Sequence, residues 1–454
     1  MPAAPSLASH AVLARAEANL AGSRRLGFER LGLAYEWARL HDRSRHPGLS
    51  ASDFTALGAE GREVYEYAAA ELGLALELHP LSAQRLMADA LDLVDRLPYV
   101  WAALDAGRLE DWVGRKIAQA TRELRHDQAL WVDAALADVL GSLPPGRLLT
   151  VVEARVLEAD QARAERLAEQ ARRERLVKLG RDNEHGVRGL AIRADAADAL
   201  RFYKTVDHLA HLLTAHDGSA GDDKAGAESM DELRARAVGI LANPLTALRL
   251  RIGADEHDTP EQVAEAVRCL GPAKVRPRSM LYLHIDPGTL DGRGVARAEE
   301  LGALTRDQLL RLLGHEHVTV RPVIDLRQQT ASDNYEVPAR ISEHLHLTKP
   351  ADVFPYAESL SRLLDQDHTV AYQANGPPGQ TVVDNLGKLT RRHHRVKTHA
   401  GWTVEQRTGG VYVWTTPHGR VRVTDGLGTH RVMAPATVGY GDGLRIDLQC
   451  ATAA

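Results

Sequence analysis

Proline spacing is the strongest constraint on how this chain can fold. Apolar residues recur at helical spacing over residues 12–41 and again over 51–143, with charged residues between them. The second region is cut at His79-Pro80, Leu97-Pro98 and Leu143-Pro144-Pro145-Gly146. A proline ring removes a backbone donor and keeps the residue before it out of the helical region, so each cut is a helix boundary. The first half therefore reads as a set of packed helices. Residues 157–179 read as one more long helix with a surface of mostly Arg, Glu and Gln, either solvated or one side of an antiparallel pair.

The texture then changes. Residues 215–228 (AHDGSAGDDKAGAE) carry almost no large apolar side chain and read as a loop or linker. A helix is expected over 231–241. Residues 279–285 and 318–325 have strand-like density, and between them 305–313 reads as a short helix capped by Thr305. Further on, a strand over 367–372 precedes the turn Asn375-Gly-Pro-Pro-Gly379. A helix over 386–398, capped by Asp384, comes next. Segments 402–406 and 411–416 alternate across Thr408-Gly-Gly410, a hairpin signal. No strong periodicity follows Arg431. The expected organisation is a mainly α N-terminal domain (1–250), a small mixed α/β continuation (251–334), a C-terminal α+β domain (335–425) and a tail (426–454).

Bulk properties narrow the function classes. At 454 residues, two or three domains are expected. The formal net charge of −5 gives no global pull toward nucleic acid, so any such contact needs a local basic patch. Only Cys269 and Cys450 are present, which excludes a disulfide framework and a zinc site built mainly of thiolates. A reducing, cytoplasmic setting is the expectation. Residues 1–22 lack the pattern of a signal peptide, and no apolar run is long enough to span a bilayer, so no membrane role is expected.

Chemistry concentrates near the C-terminus. Hydrolysing a phosphodiester needs an activated water, a Lewis acid on the phosphate and stabilisation of the leaving oxygen. Asp367 and His368 are neighbours on an expected strand, so one can ligate metal while the other reaches water. The following helix carries His393 and His394, and the Gly-Pro-Pro-Gly turn lets it fold back, giving a β-hairpin and helix clasping one ion.

The ordered set Asp367-His-Thr-Val370, Asn385-Leu386 and Arg391-Arg-His-His-Arg-Val-Lys-Thr-His399 resembles the ββα-metal motif of HNH (His-Me finger) endonucleases. More narrowly, the chain resembles actinobacterial proteins that join the helical domain of unknown function DUF222 (the 13E12 repeat family) to a C-terminal HNH nuclease. The helical run over 71–241 matches the first part. Asp352-Val-Phe-Pro-Tyr356, Gly376-Pro-Pro-Gly-Gln380 and the RRHHRVKTHAGW stretch match the second. The resemblance implies His368 as general base, Asp367 and His394 as ligands of a divalent metal, and Asn385 as a brace for the histidine or the loop. His399 is a weaker ligand or phosphate contact. The metal would be Mg²⁺, Mn²⁺ or a transition ion such as Zn²⁺ or Ni²⁺.

Two departures stand out. Where many HNH proteins hold a structural zinc with Cys pairs, this chain has Asp352, Ala357, Thr390 and His393, so no structural Cys-zinc site is expected. Packing by Phe354, Tyr356 and Trp402 must replace it. Ala371 also stands where the family often has proline.

Lys388, Arg391, Arg392, Arg395 and Lys397, with no acidic residue among them, form a cationic strip suited to phosphate, which Arg420 and Arg422 would extend. Residues 67–90 have the rhythm of a helix-turn-helix, with Ser82, Gln84 and Arg85 opening a recognition helix, although any tight helical hairpin scans alike. His315-Glu-His317 and His284 read as strand-end histidines or an accessory metal site. The expectation is thus a metal-dependent endonuclease on double-stranded DNA. Its alternative is a non-catalytic DNA-binding or regulatory protein of mobile-element origin. The helical domain offers a surface for a second copy or another protein.

Overall fold

The computed structural model describes residues 7–182, 188–216, 228–252, 259–269, 282–285, 287–290, 294–299, 301–313 and 330–432. The fold is mainly helical, with small antiparallel sheets. It divides into two compact units: residues 1–119, 133–149 and 322–454 form the first, and residues 120–132 and 150–321 the second. Of the loop expected over 215–228, residues 217–227 lie outside the described residues, while 215 and 216 end a helix. Of the tail expected over 426–454, residues from 433 lie outside them, while Gly428–Arg431 is a strand. The strand expected over 318–325 lies wholly outside them.

In the first unit the helix Leu7–Leu40 buries Leu31, Ala34 and Ala38, spaced three and four apart on one stripe. The helical texture expected over 51–67 is not realised. A 3₁₀ turn Ala51–Asp53 leads into a hairpin, Phe54–Leu57 with Arg62–Tyr65, whose aromatic and β-branched residues suit a pleated surface. Gly58 and Gly61, at φ +70° and +64°, supply the left-handed backbone that its turn needs.

The prolines act as the sequence indicates. Helix Pro80–Arg96 starts on a proline, its first amide capped by His79, and the next helix, Pro98–Asp105, starts on another. Pro80–Arg96 is the central helix, burying Ala83, Leu86, Met87, Ala90, Leu91 and Leu93. Its polar groups in the core are partnered: Asp89 accepts from Arg115 (2.8 Å) and Gln119 (2.9 Å). Asp133 caps the backbone amides of Tyr99 (2.7 Å) and Val100 (3.0 Å), while burial pushes its carboxyl above the usual range.

The C-terminal part of this unit contains helix Ala339–Thr348, a two-stranded sheet (Asp365–His368 with Leu386–Leu389), helix Arg391–His399 and a four-stranded antiparallel meander. The meander strands are Thr403–Arg407, Val411–Thr415, Val421–Asp425 and Gly428–Arg431. Tyr412 and Trp414, two apart on one strand, point inward onto Val353, Leu389 and Phe354. This part is joined to the helices. Ser142 Oγ donates to Leu427 O (2.6 Å), and Thr429 N donates to Ser142 O (2.8 Å). Gly428 (φ +126°) approaches so closely that a Cβ there would lie 2.5 Å from the Ser142 carbonyl.

In the second unit, the long helix expected over 157–179 is broken. Helix Pro145–Ala159 ends and Gln161–Arg173 begins at Asp160, whose carboxylate accepts from Arg163 N at 2.8 Å. The apolar run that follows pairs as a ribbon, Leu176–Asp182 with Arg188–Arg193. Helices Ala196–His216, Met230–Leu241 and Pro244–Ile252 share a core of Val206, Leu209, Leu213, Leu233 and Ala247. The expected short helix is present as Arg306–Leu313, with Thr305 Oγ1 accepting from Gln308 N (3.2 Å). No described helix is long and apolar enough to cross a membrane.

Candidate functional site

The C-terminal histidines sit on a strand–strand–helix unit whose bounds differ from the sequence expectation. Leu386–Leu389 is the second strand of the pair and does not begin a helix, because all four residues are buried against two sides. Gly387 makes this possible: a Cβ there would come within 2.9 Å of Val353 Cγ2 and 3.3 Å of the Tyr412 ring. The helix begins at Arg391, capped by Thr390 and not by Asp384, with Thr390 Oγ1 accepting from His393 N at 3.3 Å. The first strand is Asp365–His368, shorter and earlier than expected.

Strand alternation separates the Asp-His pair. Asp365 and Asp367, two apart, face the helix, and both meet His394. His394 Nδ1 lies 2.9 Å from Asp365 Oδ2, and Nε2 lies 3.3 Å from Asp367 Oδ1. A carboxylate only accepts, so Nδ1 carries the hydrogen. In the neutral ring Nε2 is then a lone pair facing a carboxylate oxygen. Either a second proton or a cation between them relieves that opposition. Adjacent ligands around a cation with bonds of roughly 2.1 Å lie about 3 Å apart, and a metal-binding histidine whose other nitrogen donates to a carboxylate is a favoured arrangement. Asp367 Oδ1 and His394 Nε2 therefore fit as a ligand pair. Among the described residues, no group of three or more His, Cys, Asp or Glu side chains is arranged to hold a metal.

His368 points the other way. It is buried, its ring lying 5.6 Å from Tyr335 in a stack and 5.6 Å from Tyr372. Its Nε2 lies 2.8 Å from Thr381 Oγ1, whose own hydrogen goes to Asn334 O at 2.5 Å. Having given its single proton away, the Thr381 hydroxyl accepts from Nε2–H, which leaves Nδ1 as the lone pair. Burial also pulls the imidazole pKa below its ordinary value, favouring the neutral form a base requires. Asn385 braces the intervening loop: Oδ1 accepts from Val370 N (2.8 Å), and Nδ2 donates to Gln380 O (2.9 Å) and Val370 O (3.2 Å).

Asp352, Thr390 and His393 are joined to one another. Asp352, fully buried at its side chain, accepts from Thr390 N (2.9 Å) and meets His393 Nδ1 (2.6 Å) through Oδ2, while Oδ1 accepts from Phe354 N (2.9 Å). Phe354 stacks on His393 at 4.3 Å and packs on Trp402 and Trp414. Tyr356 does not join this cluster. It is exposed, and its hydroxyl accepts from Arg422 Nε at 3.2 Å.

The cationic strip is smaller than expected. Lys388 lies on the strand, 1% exposed, and its ammonium donates to Ser361 O (3.0 Å) and Pro350 O (3.3 Å) and meets His346 Nδ1. Strand pairing turns it into the interior, so it has no path to a phosphate. Lys397 faces inward to Asp367. Arg420 and Arg422 meet Glu17, whose carboxyl the Arg420 hydrogen bond holds below the usual range. What remains is an open cleft on the helix's outward side, lined by Arg391, Arg392, Arg395 and His399. His399 is thereby placed with the arginines, about 140° around the helix from His394.

Sequence reasoning missed Asp365, Thr381 and Tyr335. The Asp-x-Asp alternation of 365 and 367 was a usable signal; Thr381, thirteen residues from the histidine it touches, offered none. Elsewhere, helices Ala68–Ala75 and Pro80–Arg96 are both present, with Ser82 and Arg85 exposed. His284 meets Glu299 at 2.9 Å as a strand-end histidine, and His315 and His317 lie outside the described residues.

A family model described as a domain of unknown function, DUF222, matches residues 40–346. No curated protein and no solved structure matches the chain.

Proposed function

The chain belongs to the DUF222 family, whose model ends at residue 346, and we propose that the part beyond it is a metal-dependent endonuclease of the HNH kind acting on double-stranded DNA. One observation carries the reading. Asp367 Oδ1 and His394 Nε2 oppose each other at 3.3 Å on a strand–strand–helix unit, beside a neutral histidine on the neighbouring strand residue.

Each group then has a task. His368 Nδ1 takes the proton of a water as its oxygen attacks phosphorus, and the bond from phosphorus to the leaving sugar oxygen breaks. Thr381 keeps the tautomer in which Nδ1 is free to do so. Asn385 fixes the loop that carries the backbone on from His368. Asp367 and His394 would hold a divalent cation such as Mg²⁺ or Mn²⁺, with Asp365 fixing the imidazole from behind. That cation supplies positive charge to the phosphate and the leaving oxygen. Arg391, Arg392 and Arg395 hold the DNA backbone through charge, without reading sequence.

The second reading is a non-catalytic DNA-binding or regulatory protein of mobile-element origin. What favours it is the Lys397 ammonium, 2.5 Å from Asp367 Oδ2, a cation already at the acidic group. A plasmid assay separates the two. Wild-type protein with Mg²⁺ or Mn²⁺ nicks or linearises supercoiled plasmid, and His368→Ala does not. Equal plasmid integrity with both proteins, across several metals, refutes the nuclease.

A further inference from the structure

We propose, resting on the metal-site reading above, that Lys397 is a positioning residue that divides the Asp367 carboxylate, holding Oδ2 so that Oδ1 alone is offered beside His394. Lys397 and His394 are three apart on one helix, so both side chains reach the strand from the same face. The Lys397 ammonium donates to Asp367 Oδ2 and to His368 O, each at 2.5 Å, and so ties the metal-side carboxylate and the base's own backbone to one point of the helix. Both partners are sheltered, with side-chain exposures of 16% and 15%.

The charges around His394 balance in pairs. Arg391 lies 3.2 Å from Asp365 Oδ2, and Lys397 answers Asp367. Two carboxylates and two cations therefore sum to zero before any divalent ion arrives. Two consequences follow. The cation is offered a single carboxylate oxygen, leaving room for water and phosphate. Its affinity is also held down, because the ammonium repels it from close range. A unit charge acting on a divalent ion across roughly 5 Å of water-like medium changes affinity about tenfold, which sets the scale expected for removing this ammonium.

The sign of this effect separates positioning by charge from plain support of the fold. Mn²⁺ binding to the full chain is measured by calorimetry for wild type, Lys397→Met, Lys397→Gln and Lys397→Arg, with Asp367→Asn as the control for the site. The expected result is about tenfold tighter Mn²⁺ binding by the Met and Gln variants, with the Arg variant close to wild type and Asp367→Asn much weaker. If the Met variant does not fold, the smaller change to Gln gives the same test. Equal or weaker binding by the folded neutral variants, with wild type still binding at Asp367, overturns the role of Lys397 and leaves the metal site standing. If wild type and Asp367→Asn take up Mn²⁺ alike, the metal site itself falls, and this inference falls with it.

Discussion

Replacing Asp352 by alanine tests whether one buried carboxylate holds the 350s loop to the helix Arg391–His399. Asp352 joins the 350s loop to the start of the site helix through Thr390 N, His393 Nδ1 and Phe354 N, at 2.6–2.9 Å. Its side chain is wholly buried, so solvent does not weaken these bonds. A hydrogen bond to a charged group contributes about 1.5–3 kcal/mol, and a buried donor left without an acceptor costs about 1–3 kcal/mol. Water reaches part of the vacated space and the three effects are not additive, so about 3–4 kcal/mol is expected for Asp352→Ala. With two structural units, one global unfolding free energy is not a well-defined quantity, so the assay must be local. Native-state hydrogen exchange, read by mass spectrometry on peptides covering 386–400 and 403–415, should accelerate about 10²–10³-fold. Asp352→Asn keeps one acceptor but turns an N–H toward a donor, and should fall between wild type and alanine. Glu405→Ala is the control, since that carboxylate is exposed and, among the described residues, pairs with Arg407 at 3.3 Å. Exchange in Asp352→Ala within tenfold of wild type would refute the reasoning, and stability of this region would then rest on the Phe354, Trp402 and Trp414 rings alone.

Two further outcomes follow from the same geometry. Alanine at Arg391, Arg392 and Arg395 together should lower the slope of log affinity for duplex DNA against log salt by about 2–3, near 0.9 per lost phosphate contact; Lys388→Met should reduce stability and leave the slope of the folded protein unchanged, and an equal loss of slope in both would contradict the burial of Lys388. Burial pushes the Tyr412 phenol above its ordinary range, and its hydroxyl donates to Leu386 O at 2.8 Å. The folded chain keeps a proton that the unfolded chain loses near about pH 10, so this contribution is complete below that pH and declines as the pH rises past it. Tyr412→Phe should cost about 1 kcal/mol of local stability at pH 7 yet show a shallower loss of protection from proteolysis within 403–415 between pH 9 and 11; an identical alkaline decline would exclude Tyr412 as its source.

Local rules carried the sequence reading where one segment sets its own structure. Proline boundaries at 80 and 98, the Thr305 cap and the Gly409-Gly410 hairpin all depend on residues within a few positions of one another. Boundaries failed where partners are distant. Leu386–Leu389 is a strand because Asp365–His368 pairs with it and Val353 and Tyr412 close over Gly387, none of which is visible in four residues. The same pairing buries Lys388, which by composition alone belongs with the arginines. Within the candidate site, Asp367, Asn385 and His394 stand out in the sequence because their types and order are distinctive. The histidine's partner Thr381 and the second carboxylate Asp365 were not singled out, since a threonine and an aspartate are common residues whose meaning here comes from the fold.

The seam at Gly428 also has a consequence for synthesis. Ser142 and Leu427 are 285 positions apart, yet they share a hydrogen bond, and at the next residue, Gly428, the backbone approach to Ser142 leaves no room for a side chain. At roughly 5–20 residues per second, a ribosome takes about 15–60 s to travel between them. For that interval the helical surface around Ser142 lacks its strand, while residues 150–321 of the second unit are being made. A nascent chain of this kind must keep an unfilled docking seam soluble for much longer than a helix takes to form. Such a seam is a natural place for a chaperone to bind and for a stalled or truncated product to aggregate.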